Sequence, residues 1–251
     1  MSGKHAVRAV FLARPHAIRR LVFLEGPARY LEEFVELSRE AGINPEILPR
    51  SAFMRMGGFT EDEKHQGVMI VAEPPAVHSE SDLGILTDAS TVIALDQVSN
   101  PQNLGTIIRN AAFFGVDAVI WLKNRSVDLS PTVTTVAVGG VEFVTLFRIT
   151  NLARTFETLK GHGFWVYGLD ERGEKTLAET EFDRKSVLVI GAEGEGLRRR
   201  TKEFCDALVR IPGGRRGLQS LNAGVASAVA LAELFRKEAT RASARRVPPD
   251  E

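Results

Sequence analysis

From residue 91 onward the chain settles into a regular rhythm of short apolar runs separated by amphipathic stretches. The runs at 92–95, 118–122, 143–148, 164–169, 187–190 and 207–211 read as strands, and the intervening segments at 105–114, 131–138, 151–161 and 198–205 read as helices. A terminal helix is predicted over 221–237. Alternation of this kind predicts an α/β fold with a mostly parallel sheet covered on both faces.

Before residue 73 the pattern is more compact. A helix is predicted at 5–13, a strand at 18–24, and an amphipathic helix at 27–41 with Tyr30, Phe34 and Leu37 on one face and Glu32, Glu33 and Glu36 on another. Gly42 stops that helix. Strands follow at 43–48 and 67–72, with a helical turn near 51–56. The expected division is a small α/β domain over 1–73, a linker over 74–90, an α/β domain over 91–240 and a flexible tail over 241–251. Leu83 and Leu86 are the linker residues placed to pack on something.

Composition narrows the class. The longest apolar stretch, near 223–234, is broken by Ser227 and Glu233, so no membrane span is expected. Arg8, Arg14, Arg19 and Arg20 interrupt any signal-like apolar run near the start. The one cysteine, Cys205, cannot form an internal disulfide, which suits a reducing cytoplasm. Net charge is zero but unevenly spread. Residues 1–60 carry nine Lys/Arg against six Asp/Glu, residues 61–196 eleven against twenty, and residues 197–251 twelve against six. Basic ends around an acidic middle leave room for a polyanion partner. Arg14, Arg19, Arg20, Arg50 and Arg55 are the candidates for gripping it. The five histidines, at 5, 16, 65, 78 and 162, show no metal-ligand spacing, and no metal is expected.

The chemistry concentrates in two stretches. Over 188–226, two predicted strands each run into a glycine-rich loop, first around Gly191, Gly194 and Gly196, then around Gly213, Gly214 and Gly217. Polar groups appear beside them: Glu193, Glu195, Ser220 and Asn222. The order of glycines is not the dinucleotide fingerprint, and no phosphate loop is present. Ser220 and Asn222 serve either a ligand or the cap of the terminal helix. Over 95–112, a strand ends at Leu95, and Asn103 is expected to cap the next helix. Arg109 lies six residues on, a spacing compatible with both facing one cavity; it is either a surface residue or an anion clamp.

Taken together, D-x-V-x-N-P-x-N-x-G-x-x-x-R-x-A from Asp96, V-I-G-A-E-G-E-G from Val189, and I-P followed by S-L-N from Ile211 resemble the three motifs of the SpoU/TrmH family of RNA ribose 2′-O-methyltransferases. Residues 3–7, 65–68 and 149–155 are similar to the bacterial type that methylates a guanosine ribose in 23S rRNA. The resemblance covers nearly the whole chain. It implies a trefoil-knotted domain that binds S-adenosylmethionine, a preceding RNA-binding domain like a small ribosomal protein, and a homodimer. A tRNA ribose methyltransferase is the alternative, and a non-catalytic RNA-binding protein is a more distant one.

By the same resemblance, Gly191, Ala192, Gly196, Ile211, Pro212 and Leu221 would contact the methyl donor. Asn103, Arg109, Glu193, Ser220 and Asn222 would form the catalytic set, with Arg109 as the family's proton acceptor. Because a guanidinium is effectively always protonated, Arg109 is expected to clamp the target phosphate and stabilise the developing alkoxide, whether or not it takes the proton. Arg215 and Arg216 would meet RNA phosphate. Ala226, Ala230 and Leu234 form a stripe compatible with dimerisation or with the monomer core. The chain departs from the family in having one residue more between Ile211 and Ser220, and Ala223-Gly224 where Val-Ser is usual. Cys205, with no base beside it, reads as a packed residue.

Overall fold

The computed structural model describes residues 1–26, 31–62, 65–213 and 220–244. Among these the chain builds two sheets. The first has the order β2-β1-β3, from β1 (Ile18–Leu24), β2 (Glu46–Leu48) and β3 (Val68–Ala72). β1 runs parallel to β2 and antiparallel to β3. Alternation along β1 decides what covers each face. Leu21 and Phe23 join Val7, Val10 and Phe11 of α1 (Lys4–Ala13) and Phe34 of α2 (Glu32–Glu40). Val22 turns the other way, to Phe53 of α3 (Arg50–Gly57) and Met69.

The second sheet has eight strands, and every pairing in it is parallel. Its strands are β4 (Val77–His78), β5 (Thr91–Asp96), β6 (Ala118–Leu122), β7 (Thr145–Ile149), β8 (Trp165–Leu169), β9 (Lys175–Thr176), β10 (Ser186–Gly191) and β11 (Ala207–Arg210), in the order β4-β7-β6-β5-β10-β8-β11-β9. Central strands that are apolar at every position are apolar because both faces are buried. Ile93 and Leu95 face one core with Val119, Trp121, Leu188 and Ile190. Val92 and Ala94 face the other with Ile120, Val187 and Val189. The first core is closed by α4 (Pro101–Phe113), α5 (Pro131–Ala137) and α8 (Ala223–Ala244), the second by α6 (Leu152–Gly161) and a 3-10 segment, Glu80–Asp88. A five-residue helix, α7 (Arg199–Glu203), joins β10 to β11.

Several expectations change. The segment 74–90 is structured over most of its length: β4 adds to the larger sheet, and Leu83 and Leu86 are buried against α6 and its neighbours. The helix predicted over 27–41 is seen as α2, with 27–30 outside the described residues. The strand predicted at 43–48 spans only its last three residues. Phe143 is exposed, and β7 starts two residues later, after a 3-10 turn over Gly140–Glu142. The terminal helix runs on to Ala244. The cap of α4 is Asn100, whose side chain accepts from the Gln102 N–H with Pro101 at the first helical position. Asn103 is therefore inside the helix and released for another role.

The two sheets meet where α1 packs on the Gly140–Glu142 turn. Arg14 binds Glu142 through both Nε and Nη2, and the Glu142 side chain is fully buried. Gly139, in the left-handed region, has no room for a side chain: a Cβ there would lie 2.5 Å from that of Ala9. Arg14 is thus a strut between the two units and leaves the set of RNA-gripping candidates. The knot implied by the resemblance depends on the path of 214–219, which lies outside the described residues. Among the described residues, no helix is long and apolar enough to cross a membrane, and no cluster of His, Cys, Asp and Glu could hold a metal.

Candidate active site

Because every strand of the large sheet is parallel, the loops after β5, β6, β10 and β11 emerge on one edge. β10 lies between β5 and β8, so the glycine-rich loop after β10 sits beside the start of α4. That loop is tight. Ala192 and Gly196 form an antiparallel bridge, with the Gly196 N–H donating to the Ala192 carbonyl at 2.9 Å. Gly194 and Gly196 take left-handed φ values of 82° and 66°. A Cβ on Gly191 would lie 2.2 Å from the Gly196 carbonyl carbon, so the loop folds directly over this glycine.

Three of the predicted polar residues converge beneath the loop. Asn103, 4% exposed on α4, donates through Nδ2 to Glu193 Oε1 at 2.6 Å. Asn222 donates through Nδ2 to Asn103 Oδ1 at 2.9 Å and also to Glu193 Oε1. With its other side-chain atom, Oδ1, Asn222 accepts from the N–H groups of Gly224 and Val225, at 2.9 and 3.2 Å. The two roles left open for Asn222 are both filled: it caps α8 and fixes the carboxylate. α8 is held there by Asn110, whose Nδ2 reaches the Gly224 carbonyl and Ser227 Oγ, both at 2.9 Å. Gly224 itself allows α8 to approach α4, since a Cβ would fall 2.9 Å from Thr106 Cγ2.

Asp96, at the end of β5, is fully buried and accepts from the Arg198 N–H at 3.0 Å and from Arg198 Nε at 2.6 Å. It staples the far end of the glycine loop to the sheet. Its place in the first motif was visible in the sequence, but its partner, 102 residues away, was not.

The other candidates are dispersed. Arg109 is exposed on α4 and does not join Asn103. At about 100° per residue, six residues turn the helix by about 240°, which puts the two side chains on different faces. Ser220 and Leu221 are exposed, and Ser220 makes no side-chain hydrogen bond among the described residues. Ala192, Gly196, Ile211 and Pro212 lie at the same sheet edge and are partly exposed, apart from the exposed Pro212. Arg19 pairs with Glu73, and Arg20 forms a fork on Glu46 at 2.7 Å. Arg50 and Arg55 are exposed, with no ion pair among the described residues. Arg215 and Arg216 lie outside those residues. Ala226, Ala230 and Leu234 belong to the monomer core, while Val225, Val229 and Phe235 of α8, and Leu221 just before it, are exposed. Burial pushes the Cys205 thiol up to about 12 and its Sγ donates to the Thr201 carbonyl, so it has no thiolate to offer.

The SpoU rRNA Methylase family model matches residues 90–232, the span that holds this whole arrangement. The chain belongs to the SpoU methylase family. Residues 2–77 match the family of RNA 2′-O ribose methyltransferase substrate-binding domains. Along the full length, the chain is 38% identical over 241 residues to the 23S rRNA (guanosine-2′-O-)-methyltransferase RlmB of Bordetella pertussis, covering 94% of this chain and 96% of that protein. It is also 38% identical to the protein of the same name from Pseudomonas aeruginosa, covering 94% and 95%. Among solved structures it resembles the SpoU methyltransferase AviRb from Streptomyces viridochromogenes in complex with AdoMet, with a TM-score of 0.74, 23% identity, and coverage of 94% of this chain and 89% of that one. That likeness shows the same fold over 94% of this chain.

Proposed function

We propose that this SpoU methylase transfers a methyl group from S-adenosylmethionine to the ribose 2′-hydroxyl of a guanosine in 23S rRNA. The reading is carried by full-length similarity to relatives of that named activity, together with Asn103, Glu193 and Asn222 meeting at the strand ends. The ribose oxygen attacks the methyl carbon in line with the departing sulfur. The C–S bond breaks, the sulfonium becomes a thioether, and the hydroxyl proton leaves to a base. The protein's contribution is alignment and charge stabilisation.

The methyl donor fits the loops after β10 and β11. Gly191, Ala192, Gly196, Ile211, Pro212 and Leu221 offer backbone polar groups and apolar side chains, and a Cβ on Gly213 would meet nothing within 4 Å, so the backbone there is open to close approach. Glu193, Asn103 and Asn222 form a pre-ordered wall beside it, and Ser220 lies two residues before Asn222.

Residues 1–73 act as the RNA-binding unit and 91–240 as the catalytic unit, in the cytoplasm. On the former, Arg50 and Arg55 are the candidates that carry no ion pair among the described residues. Arg19 and Arg20 must exchange carboxylate for phosphate to take part. A homodimer is favoured by the exposed apolar residues Leu221, Val225, Val229 and Phe235, the last linked through the Phe114 ring to the exposed Phe113 of α4. Arg109 lies one turn from Phe113 on that helix, so it would be recruited to catalysis only when a second copy covers this surface.

The test is methyl transfer from labelled S-adenosylmethionine to 23S rRNA lacking the modification, with bulk tRNA as the control. Label in a guanosine 2′-O-methyl product from rRNA supports the proposal. Label in tRNA alone would overturn the substrate assignment. Val225→Asp should yield monomers by light scattering and abolish turnover, and a dimeric, active variant would contradict the dimer.

A further inference from the structure

We infer that a cavity at the same sheet edge receives the base of the acceptor nucleotide and selects guanine through Glu195. The inference rests on the proposed methyl transfer and adds to it the residue that reads the base. The cavity measures about 560 Å³ and lies between the loops after β5, β6 and β10, lined by Gln97 and Ser99, by Arg125 to Val127, and by Ala192, Glu193 and Glu195 of the glycine-rich loop. That volume suits a small ligand, for which about 300–1,000 Å³ is usual. The cavity shares the loop after β10, Ala192 included, with the methyl-donor set and extends from it toward β5 and β6. The loops assigned to the methyl donor follow β10 and β11, whereas this cavity spans β6, β5 and β10. Ala192 and Glu193 lie in the shared loop, so a base in this cavity would sit next to the donor.

The walls are held open at some cost to the backbone. Gln97 and Arg125 have φ values of 62° and 57°, a left-handed conformation unusual for residues other than glycine. Both line this one cavity, and the Val127 N–H ties their loops together through the Val98 carbonyl at 3.2 Å. Such strain concentrates at ligand sites. Ser126 Oγ is shielded from solvent and has no hydrogen-bond partner in the structure. Glu195 is exposed, with no hydrogen bond or ion pair among the described residues, in contrast to Glu193 two positions away.

The donor and acceptor pattern selects the base. Guanine is the one RNA base with two adjacent donors, N1–H and N2–H₂, on its Watson–Crick edge, and a carboxylate accepts both at once. Adenine, cytosine and uracil each place an acceptor beside their donor there, against a carboxylate oxygen. The Gln97 amide and the Ser126 hydroxyl can donate to O6 or N7, and Arg125 offers a cationic fork to the phosphate of the same nucleotide.

The experiment measures single-turnover methylation of an rRNA fragment carrying guanosine or inosine at the target position, with wild type, Glu195→Gln and Ser126→Ala. Inosine lacks N2–H₂, so the wild type should prefer guanosine by roughly 10-fold or more. Glu195→Gln should lose roughly 10- to 100-fold on guanosine while its preference over inosine falls toward one. Its binding of S-adenosylmethionine, followed by calorimetry, should be unchanged. A Glu195→Gln enzyme that keeps the wild-type guanosine-to-inosine ratio overturns the inference and leaves the methyltransferase reading intact. A wild type that transfers no methyl group to the guanosine fragment overturns the methyltransferase reading instead. Ser126→Ala should slow both substrates equally, and an unchanged rate would remove the hydroxyl from the site.

Discussion

Asn222 carries two loads that a substitution can separate. Asn222→Ala removes the cap of α8, worth about 1 kcal/mol, and the amide bonds to Glu193 and Asn103. A hydrogen bond to a charged group contributes about 1.5–3 kcal/mol, and the low end applies because Glu193 is solvent-exposed. The total of about 2–3 kcal/mol corresponds to a fall of roughly 5–10 °C in melting temperature for a chain of this size. Asn222→Asp keeps an oxygen for the Gly224 and Val225 N–H groups and so keeps the cap. It also sets a second carboxylate against Glu193, a repulsion of about 1–4 kcal/mol across about 4 Å of partly screened surface. Methyl transfer by Asn222→Asp should drop at least about 100-fold, on the scale of losing one pre-ordered polar group. Pairing it with Glu193→Gln exchanges donor and acceptor, and differential scanning fluorimetry should find about 1–2 kcal/mol of coupling between the two changes. The reasoning fails if Asn222→Asp melts with the wild type and turns over as fast, or if the two substitutions are additive.

Arg14→Ala should cost about 3 kcal/mol in urea unfolding, because it leaves the buried Glu142 carboxylate without its partner; the double change Arg14→Met with Glu142→Leu should recover most of this. Gly191→Ala forces a Cβ into the backbone of Gly196, so a loss of about 2 kcal/mol and weaker binding of S-adenosylmethionine by calorimetry are expected, and normal values for both would refute the folded-back loop. Burial alone would push the Asp170 carboxyl up, but Lys202 at 2.5 Å and the Arg172 N–H outweigh it and hold the carboxyl below its ordinary value. A depressed folded value contributes stability that is full above the unfolded pKa and is lost as pH falls through the lower folded value. Asp170→Asn should therefore lower the urea midpoint near pH 7 by the equivalent of about 1–2 kcal/mol, with the gap to wild type closing below pH of about 4.

Local signals carried much of the architecture. Strand runs such as 92–95 and 187–190 were legible because their residues are buried on both faces, which demands continuous apolar sequence. The motif order marked Asn103, Glu193 and Asn222 as a set, and Ser130 and Asn151 show that ordinary cap chemistry starts α5 and α6. Short strands were harder: β4 and β9 are two residues each, too brief to leave a period, and exist only because a neighbouring edge pairs with them.

What only the tertiary structure decided is who meets whom. The insertion of β10 between β5 and β8 brings residue 193 to residue 103, and no pattern along the chain encodes that neighbour. Helical phase carried Arg109 away from Asn103, because a turn is 3.6 residues and not three. Charge counting marked Arg14 for RNA, yet its fork closes on a buried glutamate 128 residues away. Composition and periodicity determine which segments must hide from water. The pairing of distant side chains, and hence the chemistry of the site, follows from how those segments are threaded and packed.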